Sequence, residues 1–175
     1  MINSIVSSRY GSRYGVVTSV GKCGHRTLVT VHIIDPKTGE KMACPDDRCK
    51  GESKGCPIHQ FSTDAHELTE WTERDIRFYV GEGLISQAIA DAALVPMIKV
   101  ERNYASYPFK VTMITKKGHG EEVRVERITG ESPLVVVARK LLAFGQDDSL
   151  GVCTACTMRN PADPDYQAFA ALFAD

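Results

Sequence analysis

The sequence predicts an α+β protein, because strand-like and helix-like segments come in blocks rather than in strict alternation. An N-terminal block rich in Val, Ile and Thr leads into a cysteine-rich segment. In the mixed body that follows, helical periodicity gives way to short strands and then returns. With 175 residues and 43% hydrophobic content, the chain is long enough to build its own core.

The N-terminal block is predicted to contain a β-hairpin. Strands are predicted over residues 14–20 and 27–34, and the turn formers at 21–25 join them. Residues 35–39 form a turn, since Pro presets φ and Gly accepts the left-handed conformation. A short strand over 40–43 then leads into the cysteines.

The body is predicted to begin with helices. Two capping-box patterns, Asp64 with Glu67 and Thr72 with Asp75, mark helix starts. One stripe of apolar residues at helical spacing follows, and a proline ends that helix: Leu84, Ile85, Ala88, Ile89 and Ala92.

Strands and helices are also predicted for the second half of the chain. Three strands are expected, over residues 97–103, 109–115 and 122–128. Ser132-Pro133 opens a helix, and Asp163-Pro164 opens a last one. The last helix has one apolar face: Tyr166, Phe169, Ala170 and Phe173. The organisation expected is a β segment with a metal loop (1–60), an α+β body (61–150) and a connector with a tail helix (151–175).

The most specific pattern is a cluster of three cysteines and a histidine: Cys44, Cys49, Cys56 and His59. Soft ligands separated by short, turn-rich stretches are what a tetrahedral Cys₃His zinc site needs. Zinc is favoured over an iron–sulfur cluster, since one ligand is an imidazole and no fourth cysteine is nearby. Such a closed site would be architectural. The alternative is a loop of free thiols.

A second zinc site is predicted from the remaining thiols. Cys153 and Cys156 have zinc-like spacing but need two more ligands, and Cys23 and His25 are the unclaimed pair. The alternative is that Cys153 and Cys156 are partly buried residues of a connector. A thioredoxin-like dithiol is disfavoured, because that motif belongs at a strand-to-helix junction of a βαβ unit.

Residues 9–15 alternate cations with aromatic rings in a segment predicted to be flexible and free of acids. Arginine can contact phosphates while tyrosine stacks on bases, so we expect a partner-binding arm formed by Arg9, Tyr10, Arg13 and Tyr14. The alternative is that the tyrosines pack on their own domain or on a protein partner. A net charge of −1 provides no global attraction to nucleic acid.

The location expected is cytoplasmic. No signal-peptide pattern and no apolar run of about 20 residues is present. Six cysteines without a secretion signal indicate a reducing compartment, where thiols bind metal or stay free. In an oxidising compartment they would form three disulfides, in any of about fifteen pairings.

No enzyme motif emerges from the sequence. His66-Glu67 lacks the second histidine of a zinc protease helix, because Glu70 occupies that position. We therefore expect a non-enzymatic, zinc-stabilised accessory or adaptor protein that binds a protein or nucleic-acid partner within a nucleic-acid-processing assembly. Neither a membrane nor a small-molecule substrate is indicated. The alternatives are a zinc- or thiol-dependent enzyme that uses Cys153 and Cys156, and a structural subunit of a large assembly.

Overall fold

The computed structural model describes residues 2–9, 13–23, 25–44, 59–102, 108–144 and 155–174. Within these ranges the fold is mixed α+β, with two antiparallel sheets and four α-helices. Unit 1 comprises Met1–Leu94 and Lys117–Gly120, and unit 2 comprises Val95–Lys116 and Glu121–Asp175. This division differs from the three segments expected, because two helices after residue 72 pack on the N-terminal sheet.

Unit 1 contains a five-stranded antiparallel sheet. Its strands are β1 (Ile5–Ser8), β2 (Tyr14–Cys23), β3 (Arg26–Ile33), β4 (Gln60–Asp64) and β5 (Leu68–Glu70). The order is β4-β3-β2-β1-β5, so β1 to β4 pair in sequence and β5 pairs with β1. The hairpin of β2 and β3 confirms the predicted strand pair, whereas β1, β4 and β5 were not predicted.

The five-stranded sheet curls on itself. Its edge strands, β4 and β5, are connected only by the 3₁₀ helix Ala65–Glu67. In a flat sheet of five strands, the two edge strands would be about 19 Å apart. The four residue-to-residue steps from Asp64 to Leu68 span at most about 14 Å, so the sheet must curve to bring its edges together. One cluster of buried residues therefore lies inside the curl: Val6, Val17, Val29, Val31 and Leu68.

The outer face of β1 and β2 packs against two helices, α1 (Glu73–Gly81) and α2 (Gln87–Leu94). Alternation along β1 explains this second core, since Val6 points into the curl and Ile5 points out of it. Members of the second core include Ile5, Val16, Ile34, Trp71, Ile76, Ile89 and Ala93. The helical stripe predicted from residue 84 thus forms a helix, but that helix begins at Gln87.

Of the two predicted capping boxes, one forms. The Thr72 side chain accepts from the Asp75 backbone N–H at 3.2 Å, and the Asp75 carboxylate accepts from the Thr72 backbone N–H at 2.9 Å. Asp64 precedes only the short 3₁₀ helix and makes no side-chain cap bond. The hydrogen bond from the Thr72 hydroxyl, followed by that from its backbone N–H, lowers the pKa of Asp75.

Replacing Thr72 by alanine is expected to lower the free energy of unfolding by about 1 kcal/mol at neutral pH. Because the pKa of Asp75 is lower in the folded state, its contribution is present above the unfolded pKa of about 3.9 and is lost as the pH falls through the folded value. Urea unfolding at pH 7 measures the loss of unfolding free energy in Thr72→Ala, and the same experiment at pH 2.5 measures how much of that loss depends on the charge of Asp75. The exposed Thr129→Ala is the control, and a deficit that is the same at both pH values would contradict the capping mechanism.

Unit 2 contains a four-stranded antiparallel sheet. Its strands are β6 (Met97–Arg102), β7 (Phe109–Lys117), β8 (Gly120–Ile128) and β9 (Ala155–Met158). The order is β8-β7-β6-β9. The helices are α3 (Pro133–Phe144) and α4 (Pro164–Ala170), and the 3₁₀ turn Ala171–Phe173 follows α4. Strands β6, β7 and β8 confirm the prediction.

The tail helix forms the core of unit 2 as its apolar face predicted. Tyr166, Phe169 and Phe173 are buried together with residues of the sheet and of α3. Asp163 caps the helix by accepting from the Asp165 N–H at 2.9 Å. The Tyr166 hydroxyl donates to the Pro96 carbonyl at 3.0 Å, and burial raises the pKa of this tyrosine.

Candidate metal centre

The cysteine segment, residues 44–59, is the second part of the connection between β3 and β4, and Ile33 forms hydrogen bonds near both ends of this segment. The Ile33 N–H donates to the His59 carbonyl at 2.8 Å, and the Ile33 carbonyl accepts from the Met42 N–H at 2.9 Å. In place of the strand predicted over 40–43, Lys41 forms a single β-bridge with Ile34. The backbone therefore brings the two ends of the cysteine segment together, as a ligand-bearing loop requires.

His59 is buried, with 1% of its surface exposed. Among the described residues, neither Nδ1 nor Nε2 has a hydrogen-bond partner. A buried polar group without a partner costs about 1–3 kcal/mol, so native proteins rarely leave one unpaired. In a neutral imidazole, one of the two ring nitrogens carries a lone pair suited to zinc. The predicted ligand His59 is thus in a position where a metal would satisfy an otherwise unpaired nitrogen.

A second imidazole, that of His32, lies beside His59. His32 is in β3, and its ring centroid is 5.3 Å from that of His59, with an interplanar angle of 50°. The His32 Nε2 is 2.9 Å from the Met42 carbonyl oxygen. A carbonyl only accepts, so Nε2 is the donor and the lone pair of the neutral ring is on Nδ1. We call His32 and His59 the histidine pair.

Of the three predicted thiol ligands of the first site, the structure describes one. Cys44 is half-buried, while Cys49 and Cys56 lie outside the described residues. Within the described part of the chain, no three His, Cys, Asp or Glu side chains form a group that could hold a metal. The Cys₃His site therefore stays a prediction. Sequence reasoning missed His32 because it lies far from the cysteines along the chain; the pairing of His32 with Gln60 brings it close.

The four residues of the second predicted site belong to different units. His25 is exposed in the turn between β2 and β3 of unit 1. Cys156 is half-buried in β9 of unit 2, where it is paired with Val100 and packs against the core. The side chain of Cys23 and the whole of Cys153 lie outside the described residues. This site also stays a prediction.

The arm predicted over residues 9–15 is not flexible throughout. Tyr14 is the first residue of β2, and its ring stacks on Trp71 with a centroid distance of 5.3 Å. The Tyr14 hydroxyl donates to the Leu84 carbonyl at 3.1 Å, and burial raises the pKa of this tyrosine. The Tyr14 ring therefore packs on its own unit, which is one of the two alternatives given for the tyrosines. Arg9 and Arg13 are exposed, and Tyr10 lies outside the described residues.

The basic segment, Arg9–Arg13, and the cysteine segment leave the sheet at the same end. Successive backbone hydrogen bonds connect the end of β1 to the start of β4: Ser8 N to Arg13 O at 3.0 Å, Ile34 N to Tyr14 O at 3.1 Å and Ile33 N to His59 O at 2.8 Å. Exposed cations at this end are Arg9, Arg13, Lys37 and Lys41. Of the nearby acids, Asp35 accepts from the Lys37 backbone N–H at 2.9 Å.

No family model, no curated relative and no solved structure matches this chain. Among the described helices, none is long and apolar enough to cross a membrane.

Proposed function

We propose that this protein is a zinc-stabilised, non-enzymatic accessory protein that binds a nucleic-acid partner within a larger assembly. Zinc bound by the cysteine segment and His59 orders one end of the unit 1 sheet. The basic segment at the same end supplies cations to the phosphate backbone of the partner. The zinc is architectural in this proposal, and binding is the function.

The observation that supports the proposal most is the convergence of the two segments at one end of the sheet. They are separate in sequence, yet hydrogen bonds place Arg13, Tyr14, Ile34 and His59 on adjacent strands or their ends. In this proposal, the metal-ordered segment and the exposed arginines form one binding surface for the partner. Exposed arginines beside phosphates are the main source of affinity in nucleic-acid binding.

Arg9 and Arg13 provide the test, because both are exposed and they are the two end residues of the basic segment. The double variant Arg9→Ala/Arg13→Ala is expected to bind a fluorescent single-stranded oligonucleotide more weakly. The slope of log affinity against log salt should fall by up to about two. The melting temperature should barely change, since exposed substitutions usually cost under about 0.5 kcal/mol each. Tyr14 is left unchanged, because its ring packs on Trp71.

The matched control removes the same charge from another part of the chain. Arg139 and Lys140 are exposed on α3 of unit 2, and the variant Arg139→Ala/Lys140→Ala should bind nearly as the wild type does. Equal losses in both variants would mean that binding follows overall charge. A wild-type protein that does not bind the oligonucleotide at low salt would refute the nucleic-acid proposal.

A further inference from the structure

We propose that β8 is an interface through which two copies of this chain form a dimer. The β8 strands of the two copies pair antiparallel, with the two-fold axis at Arg124. The partner that occupies this edge of the sheet is therefore a second copy of the same strand. The inference concerns unit 2, so it depends on neither the proposed zinc site nor the proposed binding of nucleic acid.

Strand β8 is at the edge of the unit 2 sheet, and within the described part of the chain its one neighbour is β7. It extends over nine residues and contains no proline. An exposed row of backbone N–H and C=O groups pairs readily with another strand, so natural edge strands are commonly short, interrupted by proline or charged. The length of β8 favours pairing, and its charges decide which strand it can accept.

The two faces of β8 have different surroundings. Arg124 and Ile128 are on the face that packs against the core of unit 2. Ile128 is buried there, and the Arg124 guanidinium lies over the Phe173 ring and donates to the Phe173 carbonyl at 2.8 Å. Val123 and Val125 alternate with these residues, so they are on the opposite face, where they are 53% and 46% exposed. The two valines form a small apolar surface that a partner strand would cover.

The turn before β8 indicates which backbone groups point away from β7. A two-residue turn, 118–119, joins the two strands. The residues that flank such a turn form a hydrogen-bonded pair, after which every second residue of β8 bonds to β7. By this alternation we expect the N–H and C=O groups of the intervening residues to point toward a partner strand: Glu121, Val123, Val125 and Arg127.

These four residues are complementary to themselves in one register. With the axis at Arg124, Val123 of each copy is opposite Val125 of the other, and Glu121 is opposite Arg127. Glu121 and Arg127 are exposed, like the valines. Apolar pairs and opposite charges that face each other across two strands are stabilising. Moving the axis to Val123 would place Glu121 opposite Val125, and moving it to Val125 would place Val123 opposite Arg127.

The core-side face of β8 does not favour another register. With the axis at Arg124, Glu122 is opposite Glu126 of the other copy, and each Arg124 is diagonal to both acids, so repulsion and attraction offset each other. The two shifted registers would place Arg124 opposite one of these acids. The Arg124 guanidinium is engaged with the Phe173 carbonyl of its own chain, which weakens that gain. The face with the valines therefore determines the register.

The first experiment uses the full wild-type chain and needs no variant. Sedimentation equilibrium over a range of protein concentrations should show monomer and dimer, and peptides of β8 should exchange their amide hydrogens more slowly at high concentration. A chain that is monomeric at every concentration would overturn the inference, as would a dimer with unchanged exchange in β8. Growth beyond the dimer would also overturn it, because β8 would then pair with the other edge strand, β9, in an assembly that does not close.

The second experiment tests the register by charge reversal. Glu121→Arg and Arg127→Glu each oppose two pairs of like charges, so each variant should dimerise at least about tenfold more weakly than the wild type. An equal mixture of the two variants should recover the wild-type affinity, since every opposed pair in the mixed dimer again has opposite charges. Glu131→Arg is the matched control, because Glu131 is an exposed acid of unit 2 outside β8. Wild-type dimerisation of the single variants, or a mixture as weak as they are, would rule out the proposed register.

Discussion

Replacing Trp71 by alanine is expected to lower the free energy of unfolding of unit 1 by about 3–5 kcal/mol. The indole is 6% exposed and packs against two rings, with centroid distances of 5.3 Å to Tyr14 and 4.2 Å to Tyr79. The backbone at Trp71 also donates to the Ile5 carbonyl at 2.9 Å. Truncation would leave a cavity where β1, β2 and α1 meet.

Hydrogen exchange with mass spectrometry measures this effect on peptides of β1 and β2. It is preferable to fluorescence because Trp71 is the single tryptophan of the chain. Phe78→Ala is the control, since this phenylalanine is 60% exposed on the same helix as Tyr79. Tyr14→Phe should cost about 1 kcal/mol, the worth of its hydrogen bond to Leu84. Unchanged protection in Trp71→Ala would mean that the aromatic cluster does not stabilise the sheet.

Replacing His59 by leucine is expected to abolish zinc binding and to expose the cysteine segment and β4 to exchange. Binding free energies of structural zinc in small domains are about 10–16 kcal/mol, so loss of a ligand removes much of the local stability. Addition of a chelator to the wild-type chain should reproduce the effect. Elemental analysis of protein purified without chelator gives the metal content, and a second site would raise it toward two ions per chain.

The sign of the stability change in His59→Leu separates a metal ligand from a packed histidine. In a chain that binds no metal, leucine removes from a buried position two nitrogens that have no hydrogen-bond partner among the described residues. That exchange should be neutral or stabilising. In a chain that binds zinc through His59, the same exchange is strongly destabilising and chelator no longer affects the variant. A stabilised, zinc-free His59→Leu would therefore contradict the metal centre.

Local sequence patterns were sufficient to predict the structure of segments whose contacts are with residues nearby in the chain. The hairpin of β2 and β3, the capping box of Thr72 and Asp75 and the apolar face of α4 all follow from residues a few positions apart. Periodicity, turn residues and caps act over this range. The mixed α+β class followed from the same local information.

Short strands were missed because their identity depends on distant partners. Strands β1, β5 and β9 have four, three and four residues, too few for a period to be recognised. Val6 pairs with Glu70 and Val100 pairs with Cys156. The hydrogen bonds that define these strands come from remote segments, so propensity alone cannot locate them.

The candidate site also combines features that are visible in the sequence with features that depend on contacts between distant residues. The cysteine spacing, the position of His59 within it and the alternation of arginine and tyrosine near the N-terminus can be read directly from the residues. Three further features came from the folded chain: Tyr14 stacks on Trp71, His32 lies beside His59, and the basic and cysteine segments share one end of a sheet. The reason is that side-chain contacts and burial arise from strand pairing between segments far apart in the chain, and a local pattern contains no record of that pairing.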